Sequence, residues 1–175
     1  MSKKYAFTNK TIDHFGVTLK QIIRISDNEV GGYIQSENNL SHSDECWVYG
    51  NAWVHGNAEV YGDARVYGNA KVSGNAWVSG DARVYGDAKV HGNAEVHGNA
   101  WVSGNAEVSK RNEIFLLTGF SQPITLTLTW GHVGCLEFNP MELDSINYDD
   151  RVSRDEFDAI KSILRIQYAF MLSKI

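Results

Sequence analysis

Cys46-Trp47-Val48-Tyr49-Gly50-Asn51, then Ala52-Trp53-Val54-His55-Gly56-Asn57, then Ala58-Glu59-Val60-Tyr61-Gly62-Asp63: the six-residue unit recurs without insertion as far as Val108. Val holds the third place of every hexad, at 48, 54, 60, 66, 72, 78, 84, 90, 96, 102 and 108, and a small residue, Cys46 or an Ala, holds the first. Gly followed by Asn or Asp closes each unit, from Gly50-Asn51 to Gly104-Asn105. A short fixed period sets the architecture before propensity is considered, because each repeat can bury its apolar side only against its neighbours. In Ala-x-Val the first and third side chains point to one side of a strand and the middle one to the other. Ala and Val therefore face an interior, while residues such as Glu59 or Arg65 face out. Gly and Asn or Asp tolerate positive φ and supply the corners. A helix is excluded, since Val and Gly every six residues fall on no 3.6-residue stripe and Gly is costly inside one.

These hexads resemble those of the hexapeptide-repeat left-handed parallel β-helix proteins. That pattern sets an aliphatic residue in the core, a small residue four places later and Asn just before it, as Val54, Ala58 and Asn57 do. In many of those proteins Gly follows the aliphatic residue directly; here Gly56 comes after His55. The resemblance implies a mainly β fold, a triangular left-handed coil of about 3.5 turns over residues 46–109. The run Gly31-Gly32-Tyr33-Ile34-Gln35-Ser36-Glu37-Asn38-Asn39-Leu40-Ser41 leading into the repeat is similar to phage and prophage hexapeptide-repeat proteins. That similarity implies a mobile-element setting and no particular reaction.

Residues 1–45 read as an N-terminal β cap. Two strand-like runs, Lys4–Thr8 and Val17–Ile25, meet at Phe15-Gly16, and Asp27-Asn28 and Gly31-Gly32 suit further turns. A parallel coil has open ends with unpaired backbone groups, so covering the first turn is the work expected of this segment, with Leu40 as its last inward contact. Residues 110–175 read as a small α+β domain closing the other end. Strands are expected at Glu113–Thr118, Ile124–Trp130 and Val133–Phe138, with Gly119 and Pro123 between the first two. Thr125, Thr127 and Thr129 alternate with Leu126, Leu128 and Trp130, a pattern that buries one face. Asn139-Pro140-Met141-Glu142 suits the start of a short helix. Ser153-Arg154-Asp155-Glu156 forms a capping box before a helix whose apolar face is Phe157, Ile160, Leu164, Tyr168 and Met171.

The net charge of −5 is spread as −1, −2 and −2 over these three segments. None is basic enough for a general nucleic-acid surface or acidic enough to imitate one. Two cysteines, Cys46 and Cys135, make no disulfide framework, and Cys46 fills an Ala slot. No apolar run approaches a membrane span and the first residues lack an apolar leader core, so the expectation is a soluble cytoplasmic protein with no membrane partner, in the host cytoplasm if phage-encoded.

With three hexads per turn, residues 18 apart stack about 4.8 Å from one another. The outward positions then form three faces. The first carries Trp47, Arg65, Arg83 and Trp101, beside Tyr49, Tyr67, Tyr85 and Ser103. The second carries Trp53, Lys71, Lys89 and Glu107, beside His55, Ser73, His91 and Ser109. The third carries Glu59, Trp77 and Glu95, beside Tyr61, Ser79 and His97. The first face is the candidate partner surface, through Trp47, Tyr49, Arg65, Tyr67, Arg83, Tyr85 and Trp101, because aromatic residues and arginine are enriched at interface hot spots. The bland counterpart is a ladder of cation–π contacts that only stabilises the coil. Nucleic acid is disfavoured here, since Asp63 and Asp81 precede Arg65 and Arg83 by two residues.

No cofactor, metal or catalytic residue is expected. His55 and His91 share a column but sit two turns apart, roughly 9.6 Å, too far to bind one ion. Similar hexapeptide carbonic anhydrases gather histidines across a trimer instead. Hexapeptide acyltransferases, the other activity the resemblance brings in, imply a trimer with a catalytic His in a subunit cleft, here His91 or His97; an unbroken repeat offers no loop to build that cleft. The Gly-Asn corners match no phosphate-binding loop. The first expectation is therefore a non-enzymatic protein-interaction module, phage- or mobile-element-encoded, that binds host machinery such as a defence complex. A trimeric acyltransferase is the alternative, a virion or scaffold component the third, and a homo-oligomer would place a second copy on the same face.

Overall fold

The computed structural model describes residues 3–117, 124–128, 131–133, 136–145 and 154–173. Gly119, Pro123, Thr129, Trp130, Cys135 and the Ser153 capping box lie outside the described residues.

Three strands open the chain, β1 (Tyr5–His14), β2 (Val17–Arg24) and β3 (Val30–Ile34). Eleven two-residue strands follow, six residues apart, from β4 (Trp47–Val48), β5 (Trp53–Val54) and β6 (Glu59–Val60) to β14 (Glu107–Val108). Their pairing is parallel and in register at a separation of 18: Trp47 with Arg65, Arg65 with Arg83, Arg83 with Trp101. Lys71 pairs with Lys89 and Glu59 with Trp77 in the same way. The result is a three-sided parallel β-solenoid with an Ala/Val interior. Every Ala from Ala52 to Ala106 and every Val from Val48 to Val108 is buried to within 1 % of full exclusion, and Cys46 is buried with them. Apolar burial of this kind stabilises by about 25 cal/mol per Å²; here it is spread evenly along the rod.

Each corner is closed by a glycine at positive φ. Gly74, at φ 70, shows why: a Cβ there would stand 2.8 Å from the amide nitrogen of Gly92 in the next turn. Beside the glycines, the amides of Asn57, Asn75 and Asn93 form a ladder, with Nδ2 donating to Oδ1 at 3.1 Å in both steps.

The coil reaches back beyond Cys46. Tyr33 and Ile34 pair in parallel with Trp53 and Val54, and Leu40 bridges to Val60. Ile34 and Leu40 thus take inward places in a partial turn upstream of the regular hexads. Gly31-Gly32 is no turn: both residues lie buried inside β3. A Cβ on Gly31 would come 2.6 Å from Ile22 Cγ1, and one on Gly32 would come 2.4 Å from the Ala52 carbonyl oxygen. The pair is glycine because β3 presses against the first turn's backbone. The β1–β2 hairpin then adds antiparallel strands to the second face, giving one sheet in the order β1-β2-β3-β5 and onward to β14. Its turn residues, Phe15 and Gly16, both have positive φ.

At the far end, β15 (Ile114–Leu117), β16 (Ile124–Thr127), β17 (Gly131–Val133) and β18 (Leu136–Phe138) form an antiparallel sheet in that order. The expected run Val133–Phe138 is thus two paired strands, with Val133 opposite Leu136. Ile114 and Leu116 pack on the coil interior, while Phe115 packs with the cluster under α1 (Arg154–Leu172). Phe157, Ile160, Leu164 and Met171 of α1 are buried against Ile124, Leu126 and Phe138, with Tyr168 half-buried at the margin. β16 is buried on both faces rather than one, because Thr125 and Thr127 are covered as well, with Thr125 turned to the coil. Pro140–Ser145 makes a 3₁₀ segment, and Asn139 Oδ1 accepts from the Met141 amide at 3.0 Å, the cap read from the sequence.

Candidate functional site

On the first face the residues 18 apart do stack. Arg65 and Arg83 are exposed, Tyr49, Tyr67, Tyr85 and Trp101 half-buried. Short strands fix each residue's place: with Ala and Val turned inward and both neighbouring rungs paired, the intervening Arg must project from the face. Tyr67 and Tyr85 lie parallel, ring centroids 4.9 Å apart and planes 1° apart. Arg83 sits over the Trp101 ring at 4.8 Å.

Trp47 is the correction. It belongs to the column by register but is only 1 % exposed, so no partner can reach it. The N-terminal hairpin covers it: Arg24 lies over its indole at 4.7 Å and Tyr5 meets it edge-on at 6.1 Å. The face open to a partner therefore starts at Tyr49. Trp53 on the second face is covered similarly, by His14 at 4.4 Å and by Leu19 and Tyr33. Burial, followed by the facing His14, pushes the neighbouring His55 below the ordinary histidine range.

Two grooves flank the arginine column. One, of about 430 Å³, is lined by Tyr49, Arg65, Tyr67 and Arg83. The other, of about 380 Å³, is lined by Arg24, Glu45, Tyr49, Asp63, Arg65, Asp81 and Arg83. Arg24, Glu45, Asp63 and Asp81 were not among the sequence-derived binding candidates. The two aspartates are legible beside Arg65 and Arg83 from the spacing, as charges against nucleic acid rather than as part of a groove, and the Asp63 amide donates to Gly80 in the next turn. Arg24 had no such signal, because its place depends on the hairpin fold.

The electrostatics of the first face differ from those of the second. Lys89 has Glu107 at 3.9 Å and Lys71 lies over Trp53 at 5.3 Å. Among the described residues, Arg65 and Arg83 have no carboxylate within ion-pair distance. His91 is engaged with Glu107 at 3.0 Å. No group of three His, Cys, Asp or Glu is placed to hold a metal ion among the described residues, and no helix among them is long and apolar enough to cross a membrane.

A family model described as the YdcK beta-solenoid repeat matches three overlapping windows of the chain, residues 58–74, 64–80 and 76–92. The coil is a hexapeptide-type β-solenoid. The matched windows hold Arg65, Tyr67, Arg83 and Tyr85 and stop short of both ends of the column. The match speaks to fold and names no activity. No curated protein matches the chain.

Proposed function

We propose that this chain is a non-enzymatic interaction module, a capped rigid rod that offers the face of Tyr49, Arg65, Tyr67, Arg83, Tyr85 and Trp101 to a protein partner. One observation carries the reading: Arg65 and Arg83 are stacked in register, exposed, and without a carboxylate within ion-pair distance among the described residues. Like charges directly opposite one another in a sheet are destabilising. Guanidinium groups flanked by tyrosine are also what interface hot spots are commonly made of. An acidic partner would relieve the repulsion and use the aromatic walls. The similarity of residues 31–41 to phage proteins supplies a concrete setting, a mobile-element product that acts in the host cytoplasm and binds or redirects host machinery such as a defence complex.

Affinity capture from the natural host tests this, with the native chain beside an Arg65→Glu/Arg83→Glu variant whose melting temperature is checked first. The expected result is one stoichiometric partner held by the native chain and released by the variant. A three-fold oligomer that turns over a coenzyme-A thioester, with a partner list the variant leaves unchanged, would overturn it in favour of the acyltransferase.

A further inference from the structure

We infer that the segment this face receives is an acidic helix, laid along the axis of the rod with carboxylates one helical turn apart. The inference rests on the interaction reading above and adds the partner's chemistry and shape. Charge comes first. The arginine column runs between a tyrosine-walled groove and a groove where Glu45, Asp63 and Asp81 stand together with Arg24. A matching surface presents carboxylates to the arginines, an apolar ridge to the tyrosines and a basic margin to the aspartates, three parallel stripes of the kind an amphipathic helix displays.

Spacing then separates a helix from an extended segment. Successive turns of the coil are about 4.8 Å apart. A helix rises about 1.5 Å per residue, so side chains at i and i+3 stand about 4.5 Å apart along its axis and those at i and i+4 about 6.0 Å, values that bracket the interval of Arg65 and Arg83. Alternate side chains of a strand recur every 6.4–6.8 Å or so. Over the one interval between Arg65 and Arg83, a helix misses by about 0.3 Å at i, i+3 and about 1.2 Å at i, i+4, and a strand by roughly 1.6–2 Å. A strand would gain no backbone pairing in return, because augmentation needs a sheet edge, and the Arg65 and Tyr67 amides already donate to Ala82 and Val84 at 2.9 Å.

The test is a panel of helix-forming peptides of one composition, differing only in whether glutamates stand at i, i+4 or at i, i+2, titrated against the full chain by fluorescence anisotropy. The i, i+4 peptide is expected to bind at least about tenfold tighter. Its affinity should fall with salt, fall again with Arg65→Glu/Arg83→Glu, and return when the peptide's glutamates are replaced by lysine. Equal binding of the two spacings, binding of neither, or displacement of the peptide by an equal concentration of inorganic phosphate would each overturn the inference. Host-partner capture that depends on Arg65 and Arg83 while the panel shows no spacing preference keeps the face and removes the helix. Capture indifferent to both arginines removes the two together.

Discussion

At its N-terminal end the coil meets mainly hydrogen-bond donors, with Gln35 and Asp44 accepting there from the amides of Gly56 and Gly62; at its C-terminal end it meets acceptors. The Lys4 ammonium donates to the carbonyls of Asp44 at 2.6 Å and Cys46 at 2.8 Å, the Tyr5 hydroxyl to Leu40 at 2.9 Å, and the Asn39 amide to Gly56 at 3.0 Å and Ala58 at 2.9 Å. At the other end, Thr125 Oγ1 accepts from the Trp101 amide at 2.9 Å, while the Glu113 carboxylate accepts from the amides of Ser109 and Lys110. The reason lies in the ladder between them. Outward-position amides donate forward, Arg65 to Ala82 and Asn69 to Gly86, for example. The first turn is left mostly with carbonyls to satisfy, besides the amides of Gly56 and Gly62, and the last turn with amides; an unpaired buried backbone group costs free energy comparable to a lost hydrogen bond. A parallel coil therefore has a direction that its caps must respect.

Removing the N-terminal plug is the strongest way to break this symmetry of opposites. Tyr5 is buried with Ile22, Ile34, Leu40 and Trp47 over the open end of the core. Tyr5→Ala should cost about 3–5 kcal/mol in a denaturant titration, with hydrogen exchange rising first at Val48 and Val54. Lys4→Met keeps the bulk and removes only the donor, and should cost about 1.5–3 kcal/mol by the same measurement. Thr125→Val is the counterpart at the acceptor end. Leaving the Trp101 amide unpaired should cost about 1–2 kcal/mol, with faster exchange confined to the last turn. If Lys4→Met and Thr125→Val loosened the same end, the directional account of the caps would fail.

The smallest expected effect is a pH dependence local to the hairpin. His55 is held below its ordinary value of 6.5 by burial and by His14, so the folded chain favours neutral imidazole. Its contribution to stability is complete above that value and is lost as pH falls toward the lowered folded value. The melting temperature should therefore decline modestly from pH 7 to about pH 5, and His55→Asn should flatten that slope while leaving the Thr125 end unaltered.

The periodic part of this molecule could be read without coordinates because its rule is local. Three hexads per turn put Trp47, Arg65, Arg83 and Trp101 in one column, and the pairing agrees. Which members of a column meet solvent is a different question, answered by segments outside the repeat. Trp47 and Trp101 occupy equivalent places, yet Arg24 and Tyr5 bury the first. No local signal marks that contact, since Arg24 reaches Trp47 only after two antiparallel strands have folded back. The same holds for Gly31-Gly32, where two glycines looked like a turn and are instead the site of closest approach between β3 and the first coil. The two-sided burial of β16 followed from its place between coil and helix, which the alternation of Thr and Leu does not encode.

The central claim, that one face of the rod and not its charge as a whole meets the partner, is tested most directly by comparing two reversals of equal charge. Arg65→Glu/Arg83→Glu alters the first face and Lys71→Glu/Lys89→Glu the second, each a pair stacked in register. The account predicts that host-partner capture is abolished by the arginine pair and survives the lysine pair. Equal loss in both, or retention with the arginine pair reversed, would contradict it.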